Sequence, residues 1–225
     1  MAIWLCVLGQ TNYKLGLKNF IMLVVHHLNQ SRSKRVLWLL EELQMPYQRV
    51  DHQRDEKTRL APPSLKAVHA LNKAPVIIDG DITLCESSAI MEYIIDQDSE
   101  KRFRPEAGTK EYYQYIEWSH FAEGSLGLPV MCKLFMGMET RRGDQPMDNY
   151  IAKEVRLDFG YIESVLAERE YFAGAEFTAA DIMMTIILEI ADRIGLLEGQ
   201  ETTQAYLTKV QQRPAYQKQR VLVKI

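Results

Sequence analysis

Apolar and polar positions alternate along this chain with two different periods. Ile21-Met22-Leu23-Val24-Val25-His26-His27-Leu28 is a continuous, partly β-branched apolar run and predicts a strand. The polar break Asn29-Gln30-Ser31-Arg32-Ser33 follows. Val36-Leu37-Trp38-Leu39-Leu40 and Leu43 then predict a helix ending near Gln44, with Pro46 closing it. Pro46 to Val50 predicts a second strand, and Ala61 to Ala70, with Pro62-Pro63, a short helix or irregular segment. Two short apolar runs, Ala74 to Ile78 and Ile82 to Cys85, flank Asp79-Gly80-Asp81, a strong hairpin signal. Glu86-Ser87-Ser88 then opens a helix over Ala89 to Ile95, where free backbone N–H groups and the positive dipole end can receive an anion. The order β-α-β-α-β-β-α predicts a mixed four-stranded sheet covered by helices, the thioredoxin-like layout.

The period changes after Asp98. Residues 98 to 108 are charged, contain Pro105 and Gly108, and predict a linker. From Thr109 the spacing is helical. Tyr112, Tyr115, Ile116 and Trp118 to Phe121 fall in a long first helix. Gly124, Gly127 and Pro129 interrupt the pattern, and Val130 to Met138 resumes it. Arg141 to Pro146 is a loop, and Ile151, Val155, Phe159, Ile162 and Leu166 recur every three or four residues. Phe177-Thr178-Ala179-Ala180-Asp181 has the Thr-x-x-Asp spacing of a capping box, with Phe177 placed to staple Ile182. The expected division is therefore an extension over 1–21, a thioredoxin-like unit over 22–98 and an all-helical unit over 109–225. Residues 1–21 are read as dispensable, with Met22 an alternative start. A secretory signal is the competing reading, but no basic residue precedes the apolar run Ala2 to Leu8, which is far too short to span a bilayer.

At 225 residues, 47% hydrophobic and 25% charged, the chain has material for a substantial core. A net charge of −3 favours neither nucleic acid nor an anionic membrane as a general partner. Three scattered cysteines, Cys6, Cys85 and Cys132, suggest a reducing, cytoplasmic compartment and lack the clustering of a zinc site. His26 and His27 are neighbours on a strand, point to opposite faces and cannot share a metal, so no metal is expected.

The block from Lys73-Ala74-Pro75 through Glu86-Ser87, together with the Thr178–Asp181 box and the late Gln212-Arg213-Pro214-Ala215-Tyr216, resembles the cytosolic glutathione S-transferases. The run from His26 to Arg35 is most similar to a bacterial and fungal Ser-type branch. The resemblance spans Met22 to Gln217. It implies a cis Ala74–Pro75 bond with Ala74 offering its backbone to the cysteinyl part of glutathione. Glu86 and Ser87 would hold the γ-glutamyl group, and Lys73 would pair with the glycyl carboxylate. Alignment on Arg35 puts the hydroxyl that touches the glutathione sulfur at Ser31, with Ser33 as the alternative. Arg35 is expected in a structural ion pair and Arg32 at the site mouth.

A free thiol with pKa ~8.5 is only a few per cent ionised at neutral pH. A hydroxyl donor beside a helix N-terminus stabilises the thiolate, so Ser31 is expected to donate, not to attack. Met131 to Met138 is read first as core packing, although it and Tyr112, Tyr115 and Trp118 are also where the family builds its electrophile pocket. The resemblance implies glutathione as co-substrate, a hydrophobic electrophile and a homodimer with Met91, Glu92 and the first long helix near its contact. A glutathione-dependent peroxidase, reductase or dehalogenase on the same scaffold is the enzyme alternative. A non-catalytic binding module of this fold is the other.

Overall fold

The computed structural model describes residues 22–141 and 145–222, so the proposed extension over 1–21 lies outside the described residues. The first half runs β1 (Val24–Leu28), α1 (Lys34–Leu43), β2 (Gln48–His52), α2 (Pro63–Lys66), β3 (Val76–Asp79), β4 (Ile82–Cys85) and α3 (Ser87–Gln97). Its sheet has the order β2-β1-β3-β4, with β1 and β2 parallel and β3 antiparallel to both β1 and β4. Strand β1 starts three residues later than the apolar run, and β2 starts at Gln48, whose N–H donates to Leu23 at 2.8 Å. Helix α1 ends where Gln44 turns left-handed, at φ +55°, two residues before Pro46. The alternation along β1 sends Leu23 and Val25 into the core with α1 and α3. His27 shares that face, and His26 takes the other.

Among the described residues six helices make the second half: α4 (Lys110–Gly124), α5 (Gly127–Met136), α6 (Pro146–Glu168), α7 (Ala179–Arg193), α8 (Glu201–Gln211) and α9 (Pro214–Leu222). Helix α5 begins at Gly127, three residues before the expected restart at Val130. Pro129 falls in its first turn, where a missing N–H breaks no helical bond. The turn into α5 is tight: a Cβ at residue 127 would come within 3.0 Å of the Ala122 carbonyl oxygen. The segment 98–108 is tied down, with Arg102 donating to Asp98 and to the Leu43 carbonyl, and Arg104 bonded to Glu92 and Asp96.

The capping box at the start of α7 forms as its spacing predicts. Asp181 is fully buried. It accepts from the Thr178 N–H at 2.8 Å and hydroxyl at 2.9 Å, the Phe172 N–H at 3.0 Å and the Tyr206 hydroxyl at 2.7 Å. Burial pushes its carboxyl up, and those four donors oppose the shift. Phe177 packs its ring against those of Trp38, Phe103 and Tyr171.

One apolar core runs through both halves. Trp38 of α1 is its hinge pin, fully buried against the rings of Phe177 and Tyr216. Arg213 closes the same seam, donating twice to Glu42 and lying over the Phe177 ring. Met91 is buried inside the chain, and Glu92 is held by Arg104 and Tyr115. No helix among the described residues is long and apolar enough to cross a membrane.

Candidate active site

Strand register assembles the site. His26 pairs with Val76, and Val76 with Cys85. Continuing both ladders one step brings Pro75 beside His27 and Glu86 across from Pro75. The end of β1, the entrance to β3 and the exit of β4 thus share one edge of the sheet. At about 4.8 Å per strand, that edge spans about 10 Å. The Ala74–Pro75 bond is cis, as the resemblance implies. Ala74 is half-buried and Lys73 exposed. Asn72, at φ +51°, pins the approach by donating to the Ala61 carbonyl at 3.3 Å.

Glu86 stands at the cap position of α3 with φ +73° and ψ 120°, a conformation a non-glycine residue occupies at a cost of about 1–3 kcal/mol. Its carbonyl accepts from the Ile90 N–H at 2.9 Å, but its side chain makes no cap bond and is exposed. Ser87, the first helical residue, is buried. A free carboxylate therefore stands beside a first turn whose N–H groups lack intrahelical acceptors.

Ser31 and Ser33 are not equivalent. Ser33 is fully buried, while Ser31 is half-buried, in the loop that follows the end of β1. Their oxygens are 2.6 Å apart, and Ser33 Oγ is 2.7 Å from Nδ1 of buried His27. Of the two hydroxyls only that of Ser31 can meet a ligand. His26 turns away to His52, Nδ1 to Nε2 at 3.0 Å, and His52 Nδ1 reaches Ser64 at 3.0 Å. Among the described residues no group of three or more His, Cys, Asp or Glu side chains has the arrangement to hold a metal. Cys85 and Cys132 are free and half-buried.

The loop carrying Ser31 is bolted to the helical half through Glu123, in the last turn of α4. One carboxylate oxygen meets Arg32 Nε at 2.7 Å and also Arg35 Nη1. Arg35, without exposed surface, donates from Nη2 to the Met183 carbonyl at 2.6 Å. Arg35 is thus the structural ion pair expected of it, and Arg32 shares the same carboxylate. Sequence reasoning missed Glu123, 88 residues away, and the tie between His27 and Ser33. Tyr115 and Trp118 are fully buried, so neither lines an open pocket as expected. The apolar side chains left exposed along α5 and just beyond it are Leu128, Phe135 and Met138. An open groove of about 1030 Å³ lies at the far end of α1, where Glu41 pairs with both Tyr47 and Lys218.

Residues 22–96 match the family model described as the glutathione S-transferase N-terminal domain, and residues 128–214 the C-terminal domain. Over 185 residues, 76% of this chain and 75% of the relative, the sequence is 36% identical to glutathione S-transferase 3 of Schizosaccharomyces pombe. Glutathione S-transferase 1 of Saccharomyces cerevisiae is 28% identical over 189 residues, covering 74% of this chain and 80% of that one. The crystal structure of a glutathione S-transferase from Actinobacillus pleuropneumoniae superposes with a TM-score of 0.82 at 30% identity, covering 90% of this chain and 93% of the other. A glutathione transferase of Phanerochaete chrysosporium in complex with oxidized glutathione shares the fold, with a TM-score of 0.75 at 23% identity over 90% of this chain and 96% of that one. With both halves matched in order and a curated relative above a third identical, the chain belongs to the glutathione S-transferase family.

Proposed function

We propose that the chain is a glutathione transferase that binds glutathione along the sheet edge and joins its thiolate to a hydrophobic electrophile. The observation that supports this reading is the strand register, which brings the cis Ala74–Pro75 bond and the uncommitted Glu86 carboxylate beside Ser87 to the end of the sheet where β1 runs out into the loop of half-buried Ser31. The Ala74 backbone pairs with the cysteinyl unit as an added strand would. Glu86 neutralises the γ-glutamyl ammonium, Ser87 and its N–H take the α-carboxylate, and Lys73 meets the glycyl carboxylate. Ser31 donates its hydrogen to the sulfur. Lowering a thiol pKa by ~2 units needs ~2.7 kcal/mol, within reach of one charge-assisted hydrogen bond plus a helix dipole. The thiolate sulfur then attacks the electrophilic carbon, a carbon–sulfur bond forms, and the leaving group departs with the displaced electron pair.

With Tyr115 and Trp118 in the core, the electrophile meets the outer face of α5. Leu128 in its first turn follows closely on the α4 turn where Glu123 holds Arg32. The proposal includes a cytoplasmic homodimer, tested by light scattering of the purified chain. Retention on immobilised glutathione, followed by turnover with an aryl halide and with a hydroperoxide, tests the activity. Retention with conjugation is expected. Retention with peroxide turnover alone would replace the transferase by a peroxidase, and no retention would leave a binding module.

A further inference from the structure

Behind Ser31 lies a row of side chains that the transfer reaction itself does not require. Ser31 Oγ is 2.6 Å from Ser33 Oγ, which is 2.7 Å from His27 Nδ1, both at the short end of the hydrogen-bond range. Ser33 is fully buried and His27 nearly so. Ser33 also occupies the N-cap of α1 yet makes no side-chain cap bond, so its hydroxyl is committed to this row instead.

Counting hydrogens fixes how such a row must point when a thiolate is bound. Ser31 has one hydroxyl hydrogen, and the sulfur requires it. Toward the protein Ser31 Oγ is then only an acceptor, from the Ser33 N–H at 3.2 Å and the Ser33 hydroxyl at 2.6 Å. The Leu28 carbonyl, the other acceptor open to the Ser33 hydrogen, is 3.5 Å away and cannot compete with Ser31 Oγ at 2.6 Å. With its own hydrogen so used, Ser33 Oγ accepts from His27 Nδ1–H, with the Leu28 N–H as a longer second donor at 3.4 Å. Resting on the glutathione reading above, we propose that His27 is a positioning residue: held as the Nδ1–H tautomer, it directs the Ser33 hydroxyl to Ser31 and the Ser31 hydroxyl to the glutathione sulfur. The opposite tautomer reverses the row, turns Ser31 lone pairs toward the sulfur and opposes the thiolate. Three aligned donors also polarise one another, so the last is stronger than an isolated serine.

The imidazole is suited to this because it stays neutral. Burial holds His27 down to about 4; Asp51 of β2 pushes it up, and Arg49 and His52 of β2 and Lys34 of α1 push it down. One ring hydrogen remains, and its position decides the direction of the row. His26, on the other face with His52, has no part in it.

Two variants separate position from packing. The amide nitrogen of Asn falls near the place of Nδ1, and that of Gln near Nε2. Spectroscopic titration of the bound glutathione thiol should give His27→Asn a pKa within about 0.3 unit of wild type, while His27→Gln and Ser33→Ala raise it by about 0.5–1 unit. Turnover at pH 6.5 should fall about 3–10-fold in the latter two, with KM for glutathione changed less than about two-fold. Equal pKa values in all four proteins, or equal shifts in the Asn and Gln variants, would overturn the proposal. Where a variant does not fold, wild-type protein labelled with ¹⁵N-histidine decides by two-bond ¹H–¹⁵N correlation. In the glutathione complex His27 should show the Nδ1–H pattern, and the Nε2–H pattern overturns the proposal. Glutathione bound with the wrong tautomer removes the relay alone. Failure of the wild-type chain to bind glutathione removes the binding reading and the relay with it.

Discussion

Replacing Glu123 by Ala should loosen the seam between the two halves at the point where it supports Ser31. The carboxylate oxygen meets both Arg32 and Arg35. Breaking a fully buried ion pair typically costs about 3–5 kcal/mol, because the surviving charge is left without compensation. Arg35 has no exposed surface, and after the change only the Met183 carbonyl at 2.6 Å faces its guanidinium directly. Glu123 and Arg32 are 38% and 37% exposed, so water screens their side of the cluster and the Arg32 arm contributes at most about 1 kcal/mol. Discounting for that exposure leaves about 2–3 kcal/mol for Glu123→Ala and less than about 1 kcal/mol for Arg32→Ala. For a chain of this size the larger value lowers Tm by about 4–12 °C. Urea unfolding followed by tryptophan fluorescence would measure both variants beside wild type, with an unchanged m-value expected. Because the same carboxylate holds the loop bearing Ser31, KM for glutathione should also rise in Glu123→Ala. A Glu123→Ala protein within about 0.5 kcal/mol of wild type, or one no weaker than Arg32→Ala, would refute the clamp.

Other changes have outcomes set by single features. Glu86→Gln leaves an exposed, uncapped side chain of similar size, so stability should hold within about 0.5 kcal/mol, while glutathione affinity measured by calorimetry weakens about 10–100-fold as a charge-assisted bond is lost. Asp181→Ala strips four donors of their acceptor in a fully buried place and removes a cap. About 3–5 kcal/mol should be lost in urea unfolding, with little change in the bound thiol pKa of whatever folds. His27 is lowered in the folded state from 6.5 to about 4, so the unfolded chain takes up the proton first as pH falls. Its contribution is complete above pH 6.5 and lost between there and about pH 4, on the order of 3 kcal/mol. The stability difference between wild type and His27→Asn should shrink across that window, and a difference independent of pH would contradict the shift.

Local patterns carried most of the fold. The Asp-Gly turn between two apolar runs, the Thr-x-x-Asp spacing ahead of Ile182 and the three-and-four recurrence from Ile151 to Leu166 each depend on neighbours within one or two turns, and each formed. Boundaries slipped where a local rule had two outcomes. Pro129 disrupts a helix interior but suits a first turn, and α5 took the second course. Within the site, the cis Ala74–Pro75 bond was legible only through the resemblance, since an apolar X-Pro step is usually trans. Burial separated Ser31 from Ser33, and burial is a property of the fold that two serines two residues apart do not reveal. Tyr115 and Trp118 read as pocket residues for the same reason: an aromatic side on a helix fits a core or a cleft equally well. Glu123 had no local signal, because a carboxylate that serves two arginines far along the chain, Arg35 at 88 residues among them, looks like any surface glutamate until the chain is closed.

The central claim is that a hydroxyl donor at residue 31 holds the glutathione sulfur as an anion at this sheet edge. Difference absorbance of the thiolate, titrated in the wild-type complex and in Ser31→Ala, measures it directly. The wild-type complex should ionise about 1–2 units below the free thiol value of ~8.5, and Ser31→Ala should return most of the way to it. A bound thiol that titrates with the free value in wild type, or with the same lowered value in both proteins, contradicts the account.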